Sequence, residues 1–199
     1  NALWIGLKDG LSKLDCSTYQ FTNNIADSIA SNIVALAHSA DNKGIWITNH
    51  YGGTIYYNKQ TKQFSPFSHK NIKDLYDSSW CSFDNGHGSL YIGHAQGGLS
   101  IIDLKSKTCK NYRNDPHNPK SLPGNSVYCI YIDHSGNIWI GTVVKGLYCY
   151  ETNGTFTNYT VDDIPIASNS ITDLYCQYGQ NLYIATSAGL YVMDTYSRQ

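Results

Sequence analysis

The sequence predicts an all-β fold, a β-propeller of four-stranded antiparallel blades with about five repeats, and two observations carry that prediction. The first is a pattern met five times: an apolar–aromatic–apolar strand, a small residue, a short loop, then a glycine opening the next strand. The copies are Leu3-Trp4-Ile5-Gly6 with Gly10-Leu11, Ile45-Trp46-Ile47-Thr48 with Gly53-Thr54, and Leu90-Tyr91-Ile92-Gly93 with Gly98-Leu99. They continue as Ile138-Trp139-Ile140-Gly141 with Gly146-Leu147, and Leu182-Tyr183-Ile184-Ala185 with Gly189-Leu190. The second is spacing: the central aromatics Trp4, Trp46, Tyr91, Trp139 and Tyr183 follow one another at 42, 45, 48 and 44 residues. A period of roughly 40–50 residues built from short strands is one propeller blade per repeat.

The fourth repeat shows the blade most clearly. Val127 to Ile132 is a continuous apolar and aromatic run, expected as an inner strand buried on both faces. Asp133-His134-Ser135-Gly136-Asn137 has the residue types of a tight reversal. Ile138 to Gly141 is the second strand, Gly146 to Tyr150 the third, and the more polar Thr155 to Tyr159 the outer fourth. The same division transfers to the other copies, with approximate repeats at residues 1–24, 25–68, 69–114, 115–160 and 161–199 of one propeller segment, 1–199. The first repeat lacks its first strand and the last its outer strand, so eighteen strands are expected. Each central aromatic is expected to lie buried between neighbouring blades. One segment competes with an all-β assignment: from Asn24 to Leu36, Ile25, Ile29, Ile33 and Leu36 recur at helical spacing. A helix of more than one turn there would consume the inner strand that the repeat demands.

Composition narrows the function classes. Of 199 residues, 14 are Lys or Arg and 15 Asp or Glu, giving a net charge of −1 with no basic block. Nucleic acid, which needs clustered cations, is therefore not an expected partner. No apolar run approaches the ~18 residues of a membrane span and no signal-peptide pattern opens the chain, so no membrane contact is expected of this segment. The chain begins inside a repeat, which points to a longer protein upstream. Six cysteines occur outside CxxC pairs and away from His clusters, so no metal site or cofactor is expected. Cys129, Cys149 and Cys176 fall within strands and read as small buried thiols, although a disulfide stays open in an oxidising compartment.

No catalytic motif is present: no nucleophile elbow, Walker loop or His-Glu-x-x-His occurs. Tyr51-Gly52-Gly53 and Gln96-Gly97-Gly98 lie between strands, where turn geometry with positive φ accounts for them. Five-bladed glycosidases need facing carboxylates, for which Asp9, Asp84, Asp133 and Asp173 are the candidates. Asp84 and Asp133 begin hairpin turns, which structure alone explains. Asp173 stands within an inner strand, where a lone carboxylate reads first as structure. The chain is read as a non-enzyme.

Recognition is better placed on the loops between second and third strands, where the repeat pattern relaxes while flanking strands fix position. His50, Tyr51, His94, Gln96 and Lys145 are the candidate ligand-binding residues there, offering aromatic faces and hydrogen-bonding groups suited to sugar rings.

A family resemblance rests on the fourth repeat. Asp115-Pro116-His117-Asn118-Pro119-Lys120-Ser121-Leu122-Pro123-Gly124-Asn125-Ser126-Val127 leads into Asp133-His134-Ser135-Gly136-Asn137-Ile138-Trp139-Ile140-Gly141-Thr142 and Gly146-Leu147. This string resembles the two-component-regulator propeller repeat, which forms the periplasmic sensor region of hybrid two-component histidine kinases controlling polysaccharide use. The other repeats match more loosely, with Thr48 in place of the strand-ending glycine. The resemblance implies an extracytoplasmic, periplasmic sensor segment that recognises an oligosaccharide or its breakdown product and signals to a kinase elsewhere in the protein. It also implies more blades than five, so a segment of a larger propeller is expected, with a closed five-bladed ring as the alternative; unpaired strand edges and open apolar blade faces make self-association an expectation. A protein-interaction propeller and a five-bladed glycosidase are the other functional readings.

Overall fold

The computed structural model describes residues 2–23, 25, 32–118, 120–177 and 180–198. Its described residues form eighteen strands in five consecutive antiparallel sheets of three, four, four, four and three strands, with no helix. The first sheet holds β1 (Ala2–Leu7), β2 (Gly10–Asp15) and β3 (Phe21–Thr22), and the second β4 (Ile33–His38), β5 (Gly44–Asn49), β6 (Gly53–Asn58) and β7 (Phe64–Phe67). The third holds β8 (Ser79–Asp84), β9 (Ser89–His94), β10 (Leu99–Asp103) and β11 (Cys109–Tyr112). The fourth holds β12 (Val127–Ile132), β13 (Ile138–Thr142), β14 (Leu147–Tyr150) and β15 (Phe156–Tyr159), and the fifth β16 (Ile171–Gln177), β17 (Asn181–Thr186) and β18 (Gly189–Asp194). In every sheet the strands lie side by side in chain order. This is the succession of blades that the repeats predict. Where helical spacing competed, Ile33 and Leu36 lie in β4; Asn24 and residues 26–31, including Ile29, are outside the described residues.

The chain divides into two compact units, residues 1–92 with 100–110 and residues 93–99 with 111–199. In the first unit one core joins Leu11, Ile45, Ile47, Ile55 and Tyr57 of the first two sheets. A second joins Trp46 and Phe67 to Leu90, Ile92 and Ile102. In the second unit Trp139, Leu147 and Cys149 pack against Ile171, Leu174, Leu182 and Ile184. Each core thus lies between successive sheets, and each aliphatic side chain buried there is worth about 1.5–3 kcal/mol.

Burial follows a different gradient from the expected one. The second strands of the second and fourth sheets are buried throughout, since every residue of β5 and β13 is buried. The first strands are not covered on both faces, since Val34, Tyr128 and Tyr175 are exposed. A repeated irregularity contributes to this. Register slips by one residue between Ile33 and Ala35, between Val127 and Cys129, and between Ile171 and Asp173. The extra residue of each bulge, Val34, Tyr128 or Thr172, leaves the alternation and is exposed. Of the central aromatics, Trp46 and Trp139 are buried as expected, whereas Trp4, Tyr91 and Tyr183 are half-buried.

The glycine that closes the second strand has a packing cause. A Cβ on Gly141 would lie 2.7 Å from Cγ2 of Ile171, the first residue of the next sheet, and one on Gly6 would collide with Ile33. In the second sheet Thr48 replaces the glycine and its hydroxyl donates to Ser82 Oγ at 2.9 Å, and Ser79 stands where the second, fourth and fifth sheets begin with Ile33, Val127 and Ile171. A second recurring device joins neighbours. The carbonyls of Asp77, Asn125 and Asn169 accept the amides of Gly53, Gly98 and Gly146, each at 2.9 Å. Their side-chain oxygens accept the amides of His69, Asn114 and Val161. One residue two places before a first strand therefore ties both the preceding sheet and the connector.

Candidate functional site

In the first unit the loop between β5 and β6 carries His50 and Tyr51. Its backbone is fixed at both ends, by the His50 amide donating to Asn32 O at 3.1 Å and the Gly53 amide donating to Asp77 O at 2.9 Å. The His50 ring is half-buried and lies against Trp80 of β8, whose indole N–H donates to Nδ1 at 3.0 Å. The Tyr51 ring meets His50 edge-on, with centroids 4.1 Å apart, and is 74% exposed. The loop therefore presents one exposed aromatic face on a support of two ordered rings, the arrangement that stacks against the C–H face of a sugar.

In the second unit Gln96 and Lys145 are exposed. The Gln96 loop is held by the Gly98 amide on Asn125 O, by Ser126 Oγ donating to Ala95 O at 2.5 Å, and by the Arg113 guanidinium on Gln96 O at 3.4 Å. The Lys145 loop is closed by Thr142 Oγ1, which accepts the Lys145 amide at 3.0 Å, and by Tyr148 Oη, which donates to Lys145 O at 2.6 Å. The Lys145 methylenes run 3.3 Å from where a Cβ on Gly124 would stand. Both loops thus flank residues 124–126. His94 differs from its expected place: it is the last residue of β9, fully buried, with its amide donating to Gly98 O. Strand alternation turns its side chain inward, so it supports the loop without facing solvent.

Two of the four candidate glycosidase carboxylates, Asp84 and Asp133, are engaged in turns. Asp133 accepts the amides of Ser135 and Asn137 on Oδ1, and the Asn137 side chain and the Trp139 indole on Oδ2. Asp84 accepts the Gly86 amide on Oδ1 and the Ala40 amide and Trp46 indole on Oδ2. These two residues are the turn caps expected of them. Asp173 is exposed on β16 and accepts the Leu174 amide. Among the described residues no group of three or more His, Cys, Asp or Glu side chains could hold a metal ion. No disulfide joins any of the six cysteines; Cys129, Cys149 and Cys176 are buried and Cys16 is exposed.

The aromatic support under His50 was not legible in the repeats, because Trp80 belongs to the next sheet. The Asp77, Asn125 and Asn169 ties had a signal, an Asp or Asn followed by Ser two places before each first strand.

Comparison with known proteins agrees with this geometry. The family model described as two component regulator propeller matches residues 121–143. Among solved structures, the extracellular domain of a protein assigned as a hybrid two component system from B. thetaiotaomicron aligns at 31% identity and a TM-score of 0.80, covering 98% of this chain and 26% of its own. The extracellular domain of a protein assigned as a one component system from the same organism aligns at 18% identity and 0.73, covering 100% of this chain and 34% of its own. PorZ, a surface component of the type-IX secretion system of Porphyromonas gingivalis, aligns at 16% and 0.74, covering 98% and 31%. These last two share the fold alone. No curated protein matches. The chain spans about a quarter to a third of the length of the structures it matches. The match at residues 121–143 and the alignment of nearly the whole chain to the extracellular domain of a hybrid two component system identify the two-component-regulator propeller repeat as what this chain carries.

Proposed function

We propose that this chain is part of the periplasmic, ligand-sensing region of a hybrid two-component sensor, recognising a carbohydrate or its breakdown product and passing the signal to a kinase elsewhere in the full protein. The observation that carries the saccharide reading is the Tyr51 face standing on His50, itself held by Trp80. A ring ordered before binding loses little entropy when a ligand stacks on it. Gln96 and Lys145 add exposed hydrogen-bonding groups on loops of the second unit. The homologous extracellular domain supports the sensor role, and engagement of Asp84 and Asp133 in turns argues against hydrolysis.

The test is calorimetry of the chain against a panel of neutral oligosaccharides, with His50→Ala/Tyr51→Ala beside the unmodified protein. Binding that falls about tenfold or more in the double variant, with an unchanged unfolding midpoint, supports the reading. A panel without binding, together with capture of a protein partner that the same substitutions abolish, favours a protein-interaction propeller.

A further inference from the structure

Three side-chain hydrogen bonds stand in a row between the second and third sheets. On β8 the row uses Trp80, Ser82 and Asp84, alternate residues that strand geometry turns to one face. Their partners, His50, Thr48 and Trp46, are alternate residues too, running from the loop after β5 back into that strand. The Trp80 indole N–H donates to His50 Nδ1 at 3.0 Å, Thr48 Oγ1 donates to Ser82 Oγ at 2.9 Å, and the Trp46 indole N–H donates to Asp84 Oδ2 at 3.0 Å. The main chain of β5 pairs with β4 and β6, so these rungs join one sheet to the next and not strands within a sheet.

The ladder runs between opposite ends of the sheets. His50 belongs to the loop that presents Tyr51, whereas Asp84 ends β8 at a hairpin turn. There Asp84 also accepts the Gly86 amide and the Ala40 amide of the turn before β5. From Trp80 to Asp84 is roughly 13 Å of extended strand. At the junction of the fourth and fifth sheets the same strand positions are Trp139, Gly141 and Val143 in one sheet, and Thr172, Leu174 and Cys176 in the other. The Trp139 indole there donates to Asp133 of its own sheet, and Gly141 and Leu174 offer no polar side-chain atom for a middle rung. That junction is packed by apolar contact, of Trp139 and Leu147 with Ile171 and Leu174.

The two kinds of junction respond differently to displacement. Apolar contact is non-directional, whereas a hydrogen bond weakens steeply once its angle or length departs from the optimum. Thr48 is 0% exposed and Trp46 3%, so a polar atom that loses its partner there is not compensated by bulk water. All three rungs are therefore satisfied together at one face-to-face setting of the two sheets, and linked bonds of this kind reinforce one another. We propose that the ladder is a conformational link: it ties the order of the His50–Tyr51 loop to the Asp84 turn at the far end of β8, so that release of one terminal rung loosens the other. The link goes beyond the saccharide reading and stands whatever the loop binds.

The experiment is proton–nitrogen NMR of the unmodified chain and its variants, following solvent exchange of the indole N–H groups of Trp46, Trp80 and Trp139. Asp84→Ala should speed exchange at Trp80 about threefold or more, and Trp80→Phe should do the same at Trp46. Ser82→Ala removes the middle rung, so adding Asp84→Ala to it should change Trp80 by less than about 1.5-fold. Trp46→Phe deletes the same terminal rung as Asp84→Ala while keeping a ring, and must have the same effect on Trp80 if Asp84→Ala does not fold. Trp139, bonded within its own sheet, reports the fold and should stay within about twofold throughout. Gly88→Ala strains the same hairpin, with a φ of 90° and nothing within 4 Å of the added methyl, but touches no rung and should leave Trp80 unchanged. The proposal is overturned if both Asp84→Ala and Trp46→Phe leave Trp80 exchange within about 1.5-fold of the unmodified chain, if Gly88→Ala speeds it equally, or if the effect of Asp84→Ala persists in full beside Ser82→Ala.

Discussion

The indole N–H of Trp80 donates to Nδ1 of His50 at 3.0 Å, with the two ring planes 13° apart and their centroids 6.3 Å apart. The acceptor role of Nδ1 places the imidazole proton on Nε2, so the bond selects a tautomer as well as an orientation. The other engaged indoles use hairpin carboxylates: Trp46 donates to Asp84 and Trp139 to Asp133. Trp80 thus orders a side chain on a loop of the preceding sheet, as Trp46 bonds a hairpin carboxylate of the following one.

Trp80→Phe keeps an aromatic ring and deletes the donor. His50 should then lose its tautomeric preference, seen as a shift of the ring nitrogen resonances from the Nε2–H pattern towards the average of both forms. Stability should fall by about 0.5–1.5 kcal/mol, the net worth of one hydrogen bond. Affinity for a saccharide that stacks on Tyr51 should fall with the His50 order. Ring resonances identical to those of the unmodified chain would contradict the orienting role.

The blade order was legible because packing between sheets imposes the same small set of residues every 42 to 48 positions. Gly141 against Ile171, and Gly6 against Ile33, turn that packing into a sequence signal. The bulges at Val34, Tyr128 and Thr172 left no such signal, since a one-residue slip changes the face of a side chain without requiring a special residue. Reading Val127 to Ile132 as buried on both faces therefore failed at Tyr128. The candidate site was legible only in part. The repeat pattern places His50, Tyr51, Gln96 and Lys145 on the loops where they lie, but strand length decides whether His94 is the last strand residue or the first loop residue. That one-position difference turns its side chain inward.

Gly98 is the sharpest test of the ties between sheets. Its φ is 78°, and a Cβ there would collide with the Tyr112 carbonyl oxygen. Gly98→Ala should cost about 2 kcal/mol or more, combining backbone strain with a clash against main chain. Gly88 has a φ of 90° but nothing within 4 Å of where an alanine methyl would stand, so Gly88→Ala should show only backbone strain, about 1 kcal/mol. Urea unfolding of the two variants separates the terms, and equal losses would refute the steric one.

Trp139 and Asp133 should behave as one unit. Trp139 is 0% exposed, so Trp139→Ala should cost about 3–5 kcal/mol. Asp133→Ala leaves the buried indole N–H without its acceptor and two turn amides without theirs, costing about 1–3 kcal/mol for the buried donor alone. The double variant should lose less than the two single losses together, because the second substitution removes a partner already gone. Strict additivity would show that the bond contributes nothing beyond packing.

The thiols supply the pH dependence. Burial pushes the Cys149 thiol up to about 11, against a partial counter-pull from the Arg198 guanidinium, and it also raises Cys109. An aromatic disulfide reagent at neutral pH should therefore label exposed Cys16 first and reach Cys129, Cys149 and Cys176 only on unfolding. An unfolded thiol ionises near ~8.5. Between that pH and about 11 the unfolded chain has released a proton that folded Cys149 still holds, so the unfolding free energy falls as pH rises. The contribution is fully present below the unfolded value and lost on passing through the folded one. Tyr148, pushed by burial up to about 12, extends the same decline to higher pH. Urea unfolding from pH 8 to 11 should show this slope, and Cys149→Ala should flatten its lower part. A slope that Cys149→Ala leaves unchanged would assign the alkaline loss to the tyrosines and Cys109.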